Sequence, residues 1–175
     1  MQQLLYLIKG FGTNLLITLL SMIIPLGVGA LLCFLARKNT TLATVFRWIS
    51  LPFEVICPAV LLATLFYASG FRLPYAFVAV TALTVAYLGY MPARMEEGHS
   101  FPKTLLLGAL GLFGAIFKWS FCLSIIGCSD ALREALRMGA ATYEYALPLL
   151  TVLMLSTAVL LVVEVGKRLV RQLMR

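Results

Sequence analysis

Charge is scarce in this chain. Asp, Glu, Lys and Arg make up 12% of its 175 residues, and 62% are hydrophobic, against about 25% and 45–50% in soluble domains. That shortage excludes a water-soluble fold, because a chain of this length cannot bury so much apolar surface in its own interior. Histidine is nearly absent: His99 stands alone in a polar loop with no partner at ligand spacing, so no metal site and no catalytic histidine are expected. The four cysteines, Cys33, Cys57, Cys122 and Cys128, show no CxxC spacing and read as small apolar packing residues. No nucleotide-binding loop, HExxH or GxSxG occurs, so no catalytic residues are assigned and any ATP chemistry belongs to a partner. A basic region ahead of the first apolar stretch is also missing, which argues against a cleaved signal peptide.

What is present is a series of long apolar runs. Crossing a bilayer takes about 20 apolar residues in a helix, and five runs qualify: residues 13–36, 48–68, 73–91, 104–127 and 147–166. The sequence therefore predicts an all-α, multi-pass membrane protein, a single domain over residues 1–175 with five transmembrane helices in the lipid bilayer. Trp48 is expected as an interfacial anchor and Ser69-Gly70 as the stop of the second span. Residues 2–8 are too short to cross and are expected to lie along the interface.

The net charge of +7 does not point to nucleic acid, because the basic residues sit at span ends and form no single patch. In a membrane chain that pattern reports orientation. One side receives Arg37, Lys38, Arg47, Arg94, Lys103, Lys167, Arg168, Arg171 and Arg175; the other receives Lys9, Arg72, Arg133 and Arg137. The richer side is read as cytoplasmic, which puts the N-terminus outside and the C-terminus inside.

The external segment after the fourth span predicts a short helix over residues 130–138, capped by Ser129 and stopped by Gly139. Ala131, Leu132, Ala135 and Leu136 give it an apolar face, and Pro148 falls in the first turn of the fifth span, where proline is tolerated. Gly108, Gly111 and Ala115 form a small-residue stripe in the fourth span, open to packing within the chain or between subunits; Gly27 and Gly29 invite the same reading.

Lys118 is the one cation inside the apolar run 104–127. A charge at that depth costs about 2.5–3.5 kcal/mol on insertion scales and persists mainly where it meets protein, water or a substrate path. It either faces a cavity or snorkels toward the external interface. Ser120 and Ser124 lie four apart on one helical face; they either line the same path or bond back to a preceding carbonyl. Glu54 and Arg47 share a face of the second span, which favours an ion pair at the cytoplasmic boundary over a proton-carrying site. Pro58 is expected to kink that span. Glu164 is expected to pair with Lys167 or Arg168.

Two stretches carry a family likeness. Gly10-Phe11-Gly12-Thr13-Asn14-Leu15-Leu16-Ile17-Thr18-Leu19-Leu20-Ser21, continuing through Ala36-Arg37 to Glu54, resembles the opening of the membrane permease subunits of bacterial polar amino-acid ABC importers. Lys118 to Gly127 followed by Leu132 resembles that family's Lys-Asp-Thr-Ser-Leu…Ile-Gly…Glu-Leu segment, and Glu164-Val165-Gly166-Lys167-Arg168-Leu169 resembles its closing helix. The departures matter too. Val55-Ile56 and Cys57-Pro58 stand where Arg-Gly-Thr-Pro is expected, and Ala86-Tyr87-Leu88-Gly89-Tyr90 replaces a span ending in Glu. The cytoplasmic connection over residues 92–103 is far shorter than the family's coupling loop, which docks on the ATPase.

The resemblance implies a type I ABC importer permease-like fold in the bacterial cytoplasmic (inner) membrane. It also implies a second permease subunit, an ABC ATPase dimer that holds ATP and Mg, and an external solute-binding protein; this chain itself would hold no cofactor. Substrate-path candidates are Lys118, Ser120, Ser124, Cys57, Tyr87 and Tyr90. ATPase-contact candidates are Arg94, Glu96, Glu97 and His99. The implied function is a divergent half of a heteromeric importer for polar or charged amino acids or similar small solutes. The alternative is a degenerate permease-like subunit with a structural or regulatory role. A membrane-embedded enzyme would need acids, histidines or cysteines clustered at one depth, and the sequence has none.

Overall fold

The computed structural model describes residues 2–36, 40–70, 72–93 and 101–173. Among these residues every regular element is a helix, which is how a backbone satisfies its own polar groups where no water can. The first, α1 (Gln2–Ala36), runs unbroken through Pro25. Residues 2–8 therefore extend the first helix and do not lie apart at an interface. Leu7, 3% exposed, packs against Ala131 and Ala135 and gives that extension its reason.

The second expected span is divided into α2 (Thr40–Val55) and α3 (Pro58–Ala68). Pro58 has no N–H to continue the helix and disfavours helical geometry in the residue before it, and Cys57 is accordingly extended, at φ −73° and ψ 116°. The expected kink is thus a full break. Ser69-Gly70 ends α3 as read, with Gly70 at φ +60°. The third expected span is divided as well: α4 (Tyr75–Ala86), a turn over residues 87–89, and α5 (Tyr90–Ala93).

The fourth, α6 (Phe101–Ser120), tightens into a 3-10 helix (Phe121–Ile126) and stops at Gly127, φ +85°. The short α7 (Ala131–Thr142) follows, then α8 (Ala146–Leu173), with Pro148 in its first turn. Helices α1, α6 with its 3-10 extension, and α8 are long and apolar enough to cross a membrane; α3 and α4 are shorter apolar helices.

Three details of α7 differ from expectation. Asp130, not Ser129, caps it: the carboxylate accepts from Arg133 N at 2.8 Å. Both residue types cap well, and burial selects Asp130, which is 0% exposed while Ser129 is exposed. Gly139 does not stop the helix: it is buried against the Tyr145 ring, and the chain turns at Tyr143 instead, φ 59°. On the inner face Glu134 is buried where Leu136 was expected, and Leu136 points outward at 42% exposure.

Packing sets the directions. Leu7 and Gly10 of α1 meet Ala131, while Phe34 at the far end of α1 stacks edge-on with Phe101, which opens α6. Helices α1 and α6 are therefore antiparallel. Gly114 faces Val163 and Gly166 faces Leu110, so α6 and α8 are antiparallel too. A core of Ile17, Leu62, Phe66, Leu83, Leu112 and Ile116 joins α1, α3, α4 and α6. The glycine stripe serves packing within the chain: Gly111 accepts the Tyr90 ring, and Gly108 and Gly29 both accept Met91. Gly27 faces open space. Ile23 and Ile24 of α1 and Leu153, Met154 and Val162 of α8 stay more than half exposed. Such faces suit lipid, and the chain is a multi-pass membrane protein.

A Cβ on Gly10 would come within 2.9 Å of Ala131 N and Cα and of Asp130 C, all backbone atoms that cannot turn aside. Gly10→Val is expected to push α7 off α1 and to destabilise the protein by about 1–3 kcal/mol. Thermal unfolding in detergent should show a lowered midpoint, with Gly12→Val, which meets no neighbour within 4 Å, as the unaffected control.

Candidate functional site

Two adjoining cavities of about 480 and 460 Å³ share Tyr87, Tyr90, Ala115 and Trp119 in their walls. The helix breaks make this space. Val55, Ile56, Cys57 and Pro58 line the first cavity where α2 gives way to α3, and Tyr87 and Tyr90 bracket the turn between α4 and α5. Tyr87 donates its hydroxyl to Ala115 O at 3.2 Å, and the two tyrosine rings meet edge to face at 6.0 Å. On α6, Ala115, Lys118 and Trp119 recur at three- and four-residue spacing and share one face.

Lys118 lines the second cavity together with Thr157, Glu164 and Lys167 of α8. Thr157 lies near the middle of α8, so Lys118, in the last turn of α6, faces the middle of that helix and not its end. Its side chain is exposed to the cavity, and among the described residues no hydrogen bond or ion pair engages it. Glu164 does not neutralise it, because Lys167 Nζ sits 3.2 Å from Glu164 Oε2, the pairing read from the sequence.

Four of the six path candidates, Cys57, Tyr87, Tyr90 and Lys118, thus gather around one cleft. Ser120 does not join them: two residues turn a helix by about 200°, which aims Ser120 at α1, fully buried. Its hydroxyl donates to Phe117 O at 2.8 Å and accepts from Asn14 Nδ2 at 3.2 Å. Ser124, on the 3-10 segment, bonds back to Phe121 O at 3.3 Å and likewise lines neither cavity. Back-bonding, three residues away, is what both serines do. Arg94, Glu96, Glu97 and His99 lie outside the described residues, as do the side chains of Arg47 and Glu54.

Beside the cleft stands a buried polar node that the sequence reading missed. Asn14 bridges Ser120 Oγ and, through Oδ1, the Ala131 N–H at 3.2 Å. Asp130 accepts from Ser124 N at 3.1 Å and Arg133 N at 2.8 Å. The signal was there: Asn14, Thr18 and Ser21 recur at four- and three-residue spacing in an apolar helix, and all three are buried. Among the described residues no group of His, Cys, Asp or Glu is placed to hold a metal ion. The cleft offers the Lys118 ammonium, the Glu164–Lys167 pair, two phenols, an indole and apolar walls, a set suited to binding a small polar molecule.

No family model and no curated protein matches the sequence. Among solved structures, a crystal structure of an amino acid ABC transporter with histidines superposes with a TM-score of 0.72 at 18% sequence identity. The match covers 95% of this chain and 94% of that one, so the likeness takes in the whole bundle. The chain has the fold of that ABC transporter chain.

Removing the node's amide leaves the Ala131 N–H and the Ser120 hydroxyl short of a partner. Asn14→Ala is expected to cost about 1–3 kcal/mol, read as a drop in thermal stability with loss of amide protection at Ala131. Asn14→Gln should recover little, because its longer side chain cannot hold both bonds in the same register.

Proposed function

We propose that this chain is a transmembrane permease subunit of an ABC importer for polar or charged amino acids or similar small solutes. It crosses the bacterial cytoplasmic (inner) membrane five times, N-terminus outside and C-terminus in the cytoplasm. It forms the divergent half of a heteromeric transporter with a second permease subunit. An ABC ATPase dimer hydrolyses ATP with Mg, an external solute-binding protein delivers the solute, and this chain catalyses nothing itself.

The observation that carries the reading is the fold likeness to an amino acid ABC transporter over nearly the full length of both chains. The cleft supports it in detail. Its polar groups sit where helices are interrupted, a common arrangement at the substrate sites of transporters, and Lys118, unpaired among the described residues, has the charge to meet a carboxylate. Residues 92–103, too few for a full coupling helix, favour a partner permease that supplies the main ATPase contact. Arg94, Glu96, Glu97 and His99 remain the candidates for a reduced contact on this side.

The test uses the complex that copurifies with the tagged chain from its own membrane, reconstituted in proteoliposomes. Lys118→Met keeps the length and apolar stem of lysine and removes the charge. Loss of one charge-assisted hydrogen bond, about 1.5–3 kcal/mol, should lower solute uptake roughly ten- to hundred-fold while the complex stays assembled. Uptake and solute-stimulated ATPase activity unchanged in both Lys118→Met and Lys118→Ala, with assembly intact, would assign the chain a supporting role.

A further inference from the structure

We propose that a cavity beside α7 binds the phosphoethanolamine headgroup of a bilayer lipid, its ammonium on the Glu134 carboxylate and its phosphate on Arg137 and Arg133. The cavity measures about 490 Å³ and is walled by Gly127, Ser129, Arg133, Glu134, Leu136 and Arg137. None of these residues lines the Lys118 cleft, so the site is a separate one. A Cβ on Gly127 would come within 2.7 Å of Arg133 Nη1, so the bare turn after the 3-10 segment is what lets the guanidinium lie there. Glu134 is only 9% exposed and yet lines the cavity. Among the described residues its carboxylate engages no hydrogen bond or ion pair, and neither does the Arg137 guanidinium.

Charge decides what fits. A buried charge is costly unless it is paired. Arg133 is answered in part by Asp130, which it attracts. That leaves Glu134 and Arg137, three residues apart on α7, lining one cavity and unpaired with each other. A ligand with an ammonium and an anion on a short spacer answers both at once, through charge-assisted hydrogen bonds. An anionic lipid answers only the arginines and sets a second negative charge beside Glu134. Phosphocholine carries its positive charge without an N–H to donate. The position suits a lipid as well. Helix α7 joins two helices long enough to cross a membrane, α6 with its 3-10 extension and α8, so it lies at a membrane boundary. Leu136, 42% exposed, adds an apolar wall, and Tyr143, Tyr145 and Leu147 just beyond α7 are exposed too. Tyrosine collects at the level of lipid headgroups. The site stands whatever solute the chain carries.

The test is native mass spectrometry of the full chain in detergent, titrated with phosphatidylethanolamine, phosphatidylcholine and phosphatidylglycerol of identical acyl chains. The first phosphatidylethanolamine should bind roughly ten-fold more tightly than either of the others. Glu134→Gln should abolish that preference, and Arg137→Gln should weaken phosphatidylethanolamine by a similar factor. Soluble glycerophosphoethanolamine, which has the headgroup without acyl chains, should bind far more weakly than the lipid. Equal affinity for the three lipids, a preference for phosphatidylglycerol, or a phosphatidylethanolamine preference that survives in Glu134→Gln overturns the assignment. Soluble headgroup that binds as tightly as the lipid overturns the bilayer as its source. Should Glu134→Gln not fold, the wild-type ranking and the exposed-site variant Arg137→Gln decide between them.

Discussion

The amide of Asn14 is the interaction on which the arrangement of this bundle turns. It bonds two groups far along the chain, Ser120 Oγ and Ala131 N, and its own backbone carbonyl takes the Thr18 hydroxyl at 2.7 Å. Polar contacts between membrane helices are weak, about 0.6 kcal/mol on average, so strength is not what they contribute. Specificity is. Rotating α1 by one residue would swing Asn14 about 100°, leave a buried amide without partners and present Leu15 to the node. Apolar helices can pack in many registers with little difference in energy; a two-ended amide selects one.

With that register set, the interruptions of the second and third apolar runs fall opposite Trp119 and Ala115. Non-helical backbone at membrane depth is tolerated only where protein surrounds it or a cavity meets it. Both conditions hold here. The extended Cys57 and the turn beginning at Tyr87 form walls of the same cleft, and Leu61 N recovers the Cys57 carbonyl at 3.1 Å. The proline that removes one backbone bond thus opens a site without leaving its neighbours unsatisfied.

Features governed by local chemistry were legible in the sequence. Ser69-Gly70 ends a helix because glycine alone tolerates positive φ without penalty, and Lys118 stood out because a charge in an apolar run is rare. The all-helical fold followed from composition and run length. Features decided by tertiary burial were not legible. Ser129 and Asp130 are adjacent and equally competent caps, and only the approach of α1 and the 3-10 segment selects Asp130. Leu136 looked like a core residue, but the face of α7 that meets α1 brings Glu134 inward. Ser120 and Ser124 read as one polar face under α-helical periodicity, which fails where the helix tightens after Ser120. The node built on Asn14 depends on contacts more than a hundred residues apart, which no local pattern displays.

Lys118 can be weighed by magnitude. It sits in the last turn of α6, where the helix dipole favours a cation by about 0.3–1 kcal/mol. Insertion of a lysine at membrane depth costs about 2.5–3.5 kcal/mol. The dipole alone leaves most of that uncovered, and Glu164 contributes little because Lys167 already holds it. Exposure to the cleft supplies the difference: the ammonium meets water, or a polar molecule in its place, beside the Trp119 and Tyr87 rings. A cation kept in that balance is stabilised by whatever anion enters the cleft and by nothing fixed in the described part of the chain. This separates it from Lys167, whose charge is already answered by a carboxylate one turn away.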